Sequence, residues 1–283
     1  MTETQLNDIL AGIQDPVVTG PDSFALRKNS EDSCWELIQN GERGRNRIFY
    51  SSEDPDRVRN QQLFHMVMWM KDPAKAEIYD RYNSCLSEAD RLQVSREMLE
   101  DRYFKFFYEY VDRGSVEFFG FPVTLEQVGA WSGAYREKLL APEYLQDHYY
   151  SCDEIDGLLS SALLYEDAGA LDRLYGFLCS GNLQLEQKSS IIRGIWKVCG
   201  EAEYGKEQNR SLLMASEFQK QQLRRFCQGA MSLYEAMDLD RVTFVAPHDY
   251  CFAYESNEDR VEELRDHLSG NVAFITGFAE KYL

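Results

Sequence analysis

Positive charge is what this sequence is short of: 30 Lys and Arg face 48 Asp and Glu, a net of -18 over 283 residues. Such a surface repels nucleic acid and anionic membrane, so neither is expected as a direct partner, and a basic protein is. Long apolar runs are missing as well. The densest stretch, Met66 to Met70 preceded by Leu63 and Phe64, falls far below the ~20 residues that cross a bilayer. Cysteine is sparse: Cys34, Cys85, Cys152, Cys179, Cys199, Cys227 and Cys251 form no C-x-x-C pair and total seven. That odd, scattered set predicts buried free thiols in a reducing compartment and argues against a disulfide scaffold or zinc site. No phosphate loop is present, because Gly41-Glu42-Arg43-Gly44 has neither the Lys nor the spacing. Met1 to Leu10 carries Glu3 and Asp8 where a secretory leader has a basic flank and apolar core. The expected location is the cytoplasm.

What the chain does have is apolar and aromatic mass, 44% and 13% of residues. Disordered acidic segments lack both, so a folded protein with a large core is expected. Helix signals recur along it. Leu6, Ile9, Leu10 and Ile13 form a short amphipathic segment before a turn-rich stretch, and Gly41 to Arg47 reads as a link. Ser51-Ser52-Glu53-Asp54-Pro55 has the caps and first-turn Pro of a helix start, predicting a helix to about Met70. Leu92, Leu99, Tyr103, Phe106 and Tyr110 predict a central helix over 87–112. Capping boxes at Thr124 to Gln127 and Ser151 to Glu154 each predict a new helix.

Ile155, Leu158, Leu159, Ala162 and Leu163, a turn at Asp167 to Gly169, then Leu171, Leu174, Tyr175 and Leu178 read as an antiparallel αα-hairpin. Further helices are predicted at 184–199 and 208–235, with a last pair around 257–281. Strand character is confined to Val116 to Phe121 and Val242 to Ala246. The expected fold is an all-α, irregular multi-helix bundle of antiparallel hairpins with at most one small β-ribbon. Residues 1–50 would be an N-terminal arm and link, and 51–283 the helical domain, divisible into packed halves 51–150 and 151–283.

Three constellations have catalytic potential. Arg59-Asn60-Gln61-Gln62-Leu63-Phe64-His65 resembles the short motif of the HEPN ribonucleases. The resemblance implies an all-helical RNA-cleaving enzyme in which Arg59 stabilises phosphate charge and His65 is the acid or base. The structural alternative pairs Arg59 with neighbouring acids and seats His65 beside Met66 and Met68. His248-Asp249 is similar to the adjacent metal ligands of helical HD phosphohydrolases, which implies an earlier His (His65 or His148) and a later Asp (Asp259 or Asp266). Only 34 residues follow Asp249, and an Asp after Pro247-His248 serves equally as a cap. Cys152 is the one thiol at a helix start, where Asp153, Glu154 and Asp156 would blunt it. No metal or cofactor is expected.

The acids form two clusters: Asp153, Glu154, Asp156, Glu166, Asp167 and Asp172, then Glu255, Glu258, Asp259, Glu262, Glu263 and Asp266. With Val261, Leu264 and Leu268 facing the core, Glu258, Asp259, Glu262 and Asp266 would form an outward carboxylate stripe. Nearby tyrosines, Tyr149, Tyr150, Tyr165, Tyr250 and Tyr254, are residues that interfaces favour as anchors. The chain looks like the acidic helical immunity proteins that neutralise toxin nucleases. That resemblance implies a non-enzymatic inhibitor whose carboxylate- and tyrosine-rich face occludes a basic partner. The alternatives are the ribonuclease using Arg59 and His65, and a helical-hairpin adaptor or scaffold.

Overall fold

The computed structural model describes residues 24–28, 34–39, 47–53, 58, 89, 92, 96, 99–100, 115–118, 121–181, 183–209, 211–242 and 256–283. Among the described residues the fold is an all-α multi-helix bundle with little strand. It divides into two compact units, Met1–Arg102 with Glu109–Val128, and Tyr103–Tyr108 with Gly129–Leu283.

The first unit holds the strands. β1 (Phe24–Lys28), β2 (Trp35–Gln39) and β3 (Arg47–Ser52) make an antiparallel sheet in sequence order, with a register shift between Leu37 and Ile38. β4 (Ser115–Phe118) and β5 (Phe121–Thr124) form a hairpin. Of the two segments read as a ribbon, the one at Val116 pairs locally with β5, and 243–246 of the other lie outside the described residues. The three-stranded sheet is an addition that helix-oriented reading missed. Ser51 and Ser52, read as caps of a helix, end β3 instead, and Arg47, read as the end of a link, begins it. Of the two helices expected at 51–70 and 87–112, Val58, Leu92 and Leu99 have helical backbone, and Val58 and Leu99 are fully buried. Arg96 and Glu100 pair across one turn at 2.9 Å.

α1 (Leu125–Leu139) begins where the sequence predicts. Gln127 accepts the Thr124 amide at 2.9 Å and Thr124 Oγ1 accepts the Gln127 amide at 3.2 Å. After it come α2 (Pro142–Asp147), α3 (Cys152–Leu164), α4 (Ala168–Leu178), α5 (Leu185–Glu207), α6 (Glu217–Glu235) and α7 (Asn257–Tyr282). Both halves of the Ser151/Glu154 capping box form at the start of α3. α3 and α4 are the expected hairpin, turned by Glu166 at φ 49 and by Asp167, whose side chain caps α4 through the Ala170 amide.

α5 is the hub of this unit, packing on α3, α6 and α7. Its buried positions, Ile191, Ile192, Ile195, Val198, Cys199 and Ala202, cover a broad face, as a helix with three neighbours requires. Gly194 sets the approach of α3: a Cβ there would lie 2.6 Å from Ile155 Cγ2 and 3.0 Å from the Cys152 carbonyl. The pair of helices expected at 257–281 is one continuous helix. Ser269 and Gly270, in its middle, both lie on its exposed side, while Leu268 and Ile275, fully buried, hold the turns on either side.

Candidate functional site

The two acidic clusters differ in what their carboxylates do. In the first, nearly every acid is engaged within the fold. Asp153 meets Lys197 of α5 at 2.5 Å, and Asp172 meets Arg225 of α6 at 2.6 Å. Glu154 accepts the Ser151 amide with one oxygen at 2.8 Å and contacts His148 Nε2 with the other at 2.9 Å. Asp156 is fully buried and accepts the Ser160 hydroxyl at 3.3 Å, so it is corrected from surface contact to core residue.

Asp167 belongs to a buried polar knot. Arg136, 4% exposed, directs Nη1 to Ser132 Oγ (2.7 Å) and Ser161 Oγ (2.6 Å), and Nε and Nη2 to Asp167 Oδ2 (3.0 Å each). Burial pushes the Asp167 carboxyl up, but the Ala170 amide and the Arg136 guanidinium outweigh it and hold the group below its usual range. Tyr165 packs its ring under the same guanidinium at 5.2 Å, and burial pushes its phenol up to about 12 against the pull of Arg136. Glu166 stands exposed at the tip of the hairpin, and Asp153 and Asp172 are exposed although ion-paired. Tyr150, read as a surface anchor, is fully buried and donates its hydroxyl to the Leu139 carbonyl.

The second cluster is built differently. Ser256 caps α7 through the Asp259 amide at 3.1 Å. Val261, Leu264 and Leu268 face the core as predicted, and Glu258, Asp259, Glu262 and Asp266 are exposed on the opposite side. Carboxylates spread over nine residues of helix cover about 12 Å of its length. No ion pair joins these four to any described residue. The cations of the helix point elsewhere. Arg265 donates to the carbonyls of Leu239 (3.1 Å) and Asp240 (3.4 Å), and Arg260 is buried. Glu263, the remaining described acid of this cluster, contacts His267 at 3.2 Å.

One surface feature escaped the sequence reading. Of the large hydrophobic residues exposed among those described, Tyr149 (47%), Trp196 (37%) and Tyr204 (60%), the last two lie on α5. Tyr149 reaches that helix through its hydroxyl, 2.8 Å from Ser190 Oγ. Trp196 sits edge-on to Phe274 of α7 at 6.5 Å, which links the aromatic line to the helix that carries the stripe. The signal was available: Trp196 and Tyr204 stand eight residues apart, off the face marked by Ile191, Ile192, Ile195 and Val198.

The catalytic alternatives find no centre among the described residues. Arg59, His65, His248 and Asp249 lie outside them, as do Glu255, Tyr250 and Tyr254. His148 is stacked on Tyr144 at 4.3 Å and bonded to Glu154, and Asp259 and Asp266 are on the outer face of α7. No group of three or more His, Cys, Asp or Glu suited to a metal occurs among the described residues. Burial, then the neighbouring acids, push the Cys152 thiol up, and Lys197 and Arg193 offset this only in part, so it is a poor nucleophile. No helix among the described residues is long and apolar enough to cross a membrane. In comparisons with known proteins, no family model, no curated protein and no solved structure matches this chain.

Proposed function

We propose that this protein is a non-enzymatic binding protein that captures a basic macromolecule on the outer face of α7. The supporting observation is the contrast between its clusters. The acids at 153–172 are largely absorbed by Lys197, Arg136, Arg225 and helix caps, while Glu258, Asp259, Glu262 and Asp266 face solvent without a cation among the described residues. Unpaired exposed carboxylates in a chain of net charge -18 attract a cationic surface at long range and speed its encounter. The exposed Trp196 beside Phe274 adds an aromatic of the kind that anchors interfaces.

The narrower form of this reading is an immunity-type inhibitor that covers the positive active site of a nuclease toxin in the cytoplasm. Its test is an inhibition assay. Basic toxin nucleases, each mixed with the purified protein, should include at least one whose cleavage is blocked, with the block lost in Glu258→Lys/Glu262→Lys/Asp266→Lys. Full inhibition by that triple variant contradicts the assignment to α7, and cleavage unaffected across the set contradicts the inhibitor role.

A further inference from the structure

The Sγ atoms of Cys199 in α5 and Cys227 in α6 lie 3.6 Å apart, and both residues are completely buried. The sulfur atoms of a disulfide are about 2.05 Å apart, so closure needs an approach of about 1.5 Å between side chains that already face one another. A thiol–thiol contact binds these two helices weakly, whereas a covalent bond would fix them. The cysteine pair lies between α5 and α6, and α7 packs on both of those helices.

We propose that Cys199 and Cys227 are a site of reversible oxidation, closing to a disulfide that staples α5 to α6. The oxidant is a low-molecular-weight disulfide. One thiol, as thiolate, attacks a sulfur of the oxidant, forming a mixed disulfide and releasing one small thiol. The second cysteine then attacks the protein sulfur of that mixed disulfide and releases the other. Two electrons and two protons leave the cysteines, and one small disulfide becomes two small thiols.

Access sets the rate. Neither sulfur touches solvent, so the seam between α5 and α6 must open before the oxidant can reach it. The Cys227 sulfur beside it, with burial, pushes the Cys199 thiol well up, which keeps the closed form inert near neutral pH. Oxidation therefore reports opening, and reduction restores the starting state.

The test incubates the full-length protein with excess oxidised glutathione at pH 8, with and without urea below the unfolding transition, followed by alkylation under denaturing conditions and peptide mapping. The expected product is a peptide pair linked through Cys199 and Cys227, forming faster in urea. A loop of this size predicts a Tm rise of roughly 5–10 °C that dithiothreitol reverses and that Cys227→Ala lacks. The mapping stands by itself should Cys227→Ala fail to fold. Recovery of both cysteines fully alkylated after both incubations overturns the proposal. So does pairing of either one with another cysteine, or a stable glutathione adduct on either.

Discussion

One oxygen of Asp167 receives both Nε and Nη2 of Arg136 at 3.0 Å, while its other oxygen accepts the Ala170 amide at 3.0 Å and caps α4. An acid that the sequence offers as a partner contact is thus a strut between α1 and the α3–α4 turn. Asp167→Asn leaves the buried Arg136 charge uncompensated, and because the carboxylate itself is partly exposed the expected cost is about 2 kcal/mol, below that of a fully buried pair. The group is depressed in the folded state, so its contribution is present above the unfolded pKa and disappears as pH falls below about 4. Urea unfolding at pH 7 and pH 3 checks both: the variant and the parent should differ at pH 7, and the difference should be smaller at pH 3.

Tyrosine titration tests the same knot from the alkaline side. The Tyr165 phenol is pushed up to about 12 by burial, partly offset by Arg136, and burial with the nearby Tyr144 and Glu154 pushes Tyr150 up further. A raised folded value means that stability is intact below about 10, where the phenols of the unfolded chain begin to ionise, and falls as pH rises through 12. Spectrophotometric titration should show these two tyrosines ionising late, and Tyr165→Phe should reduce the loss of stability between pH 10 and 12.

Glycines separate close packing from free surface. Gly194→Ala puts a methyl group 2.6 Å from Ile155 Cγ2, with the Cys152 carbonyl also in the way, and should cost about 1–3 kcal/mol. Gly176→Ala, in α4 with nothing within 4 Å of the added carbon, should gain up to about 1 kcal/mol from helix propensity. Thermal unfolding of the two variants should move in opposite directions.

Legibility in the sequence followed locality. The helix starts at Thr124 and Ser151 were readable because a capping box is complete within four residues, and the hairpin after Ser151 because its stripe and turn are adjacent. The stripe on α7 was readable because Val261, Leu264 and Leu268 fix the phase of one helix. The continuity of α7 through Ser269 and Gly270 was not, since it depends on burial of Leu268 and Ile275 by distant helices. Nor was the sheet, whose strands gain their partners only through pairing: Leu26 opposite Leu37, Leu37 opposite Tyr50. The different fates of the two acidic clusters were invisible for the same reason, because Asp153, Asp167 and Asp172 find their cations 31 to 53 residues away.

Surface ion pairs of the first cluster should matter little to stability. Asp172, 67% exposed, and Asp153, 65% exposed, pair with cations in water. Replacing either by Asn should change unfolding free energy by less than about 1 kcal/mol, with the difference shrinking in high salt. Chemical denaturation at low and high salt measures it.

The central claim is that the carboxylates of α7, and not the overall charge, receive a basic partner. Reversing Glu258, Glu262 and Asp266 to Lys takes the net charge from -18 to -12, and so does reversing Glu137, Asp172 and Glu217, which pair with Arg173, Arg225 and Lys220. The decisive measurement is the association rate of both triple variants with an inhibited basic nuclease as a function of salt. The α7 variant should associate at least about tenfold more slowly than the equally charged control at low salt, with a flatter salt dependence. Equal rates and equal slopes for the two variants would contradict the account.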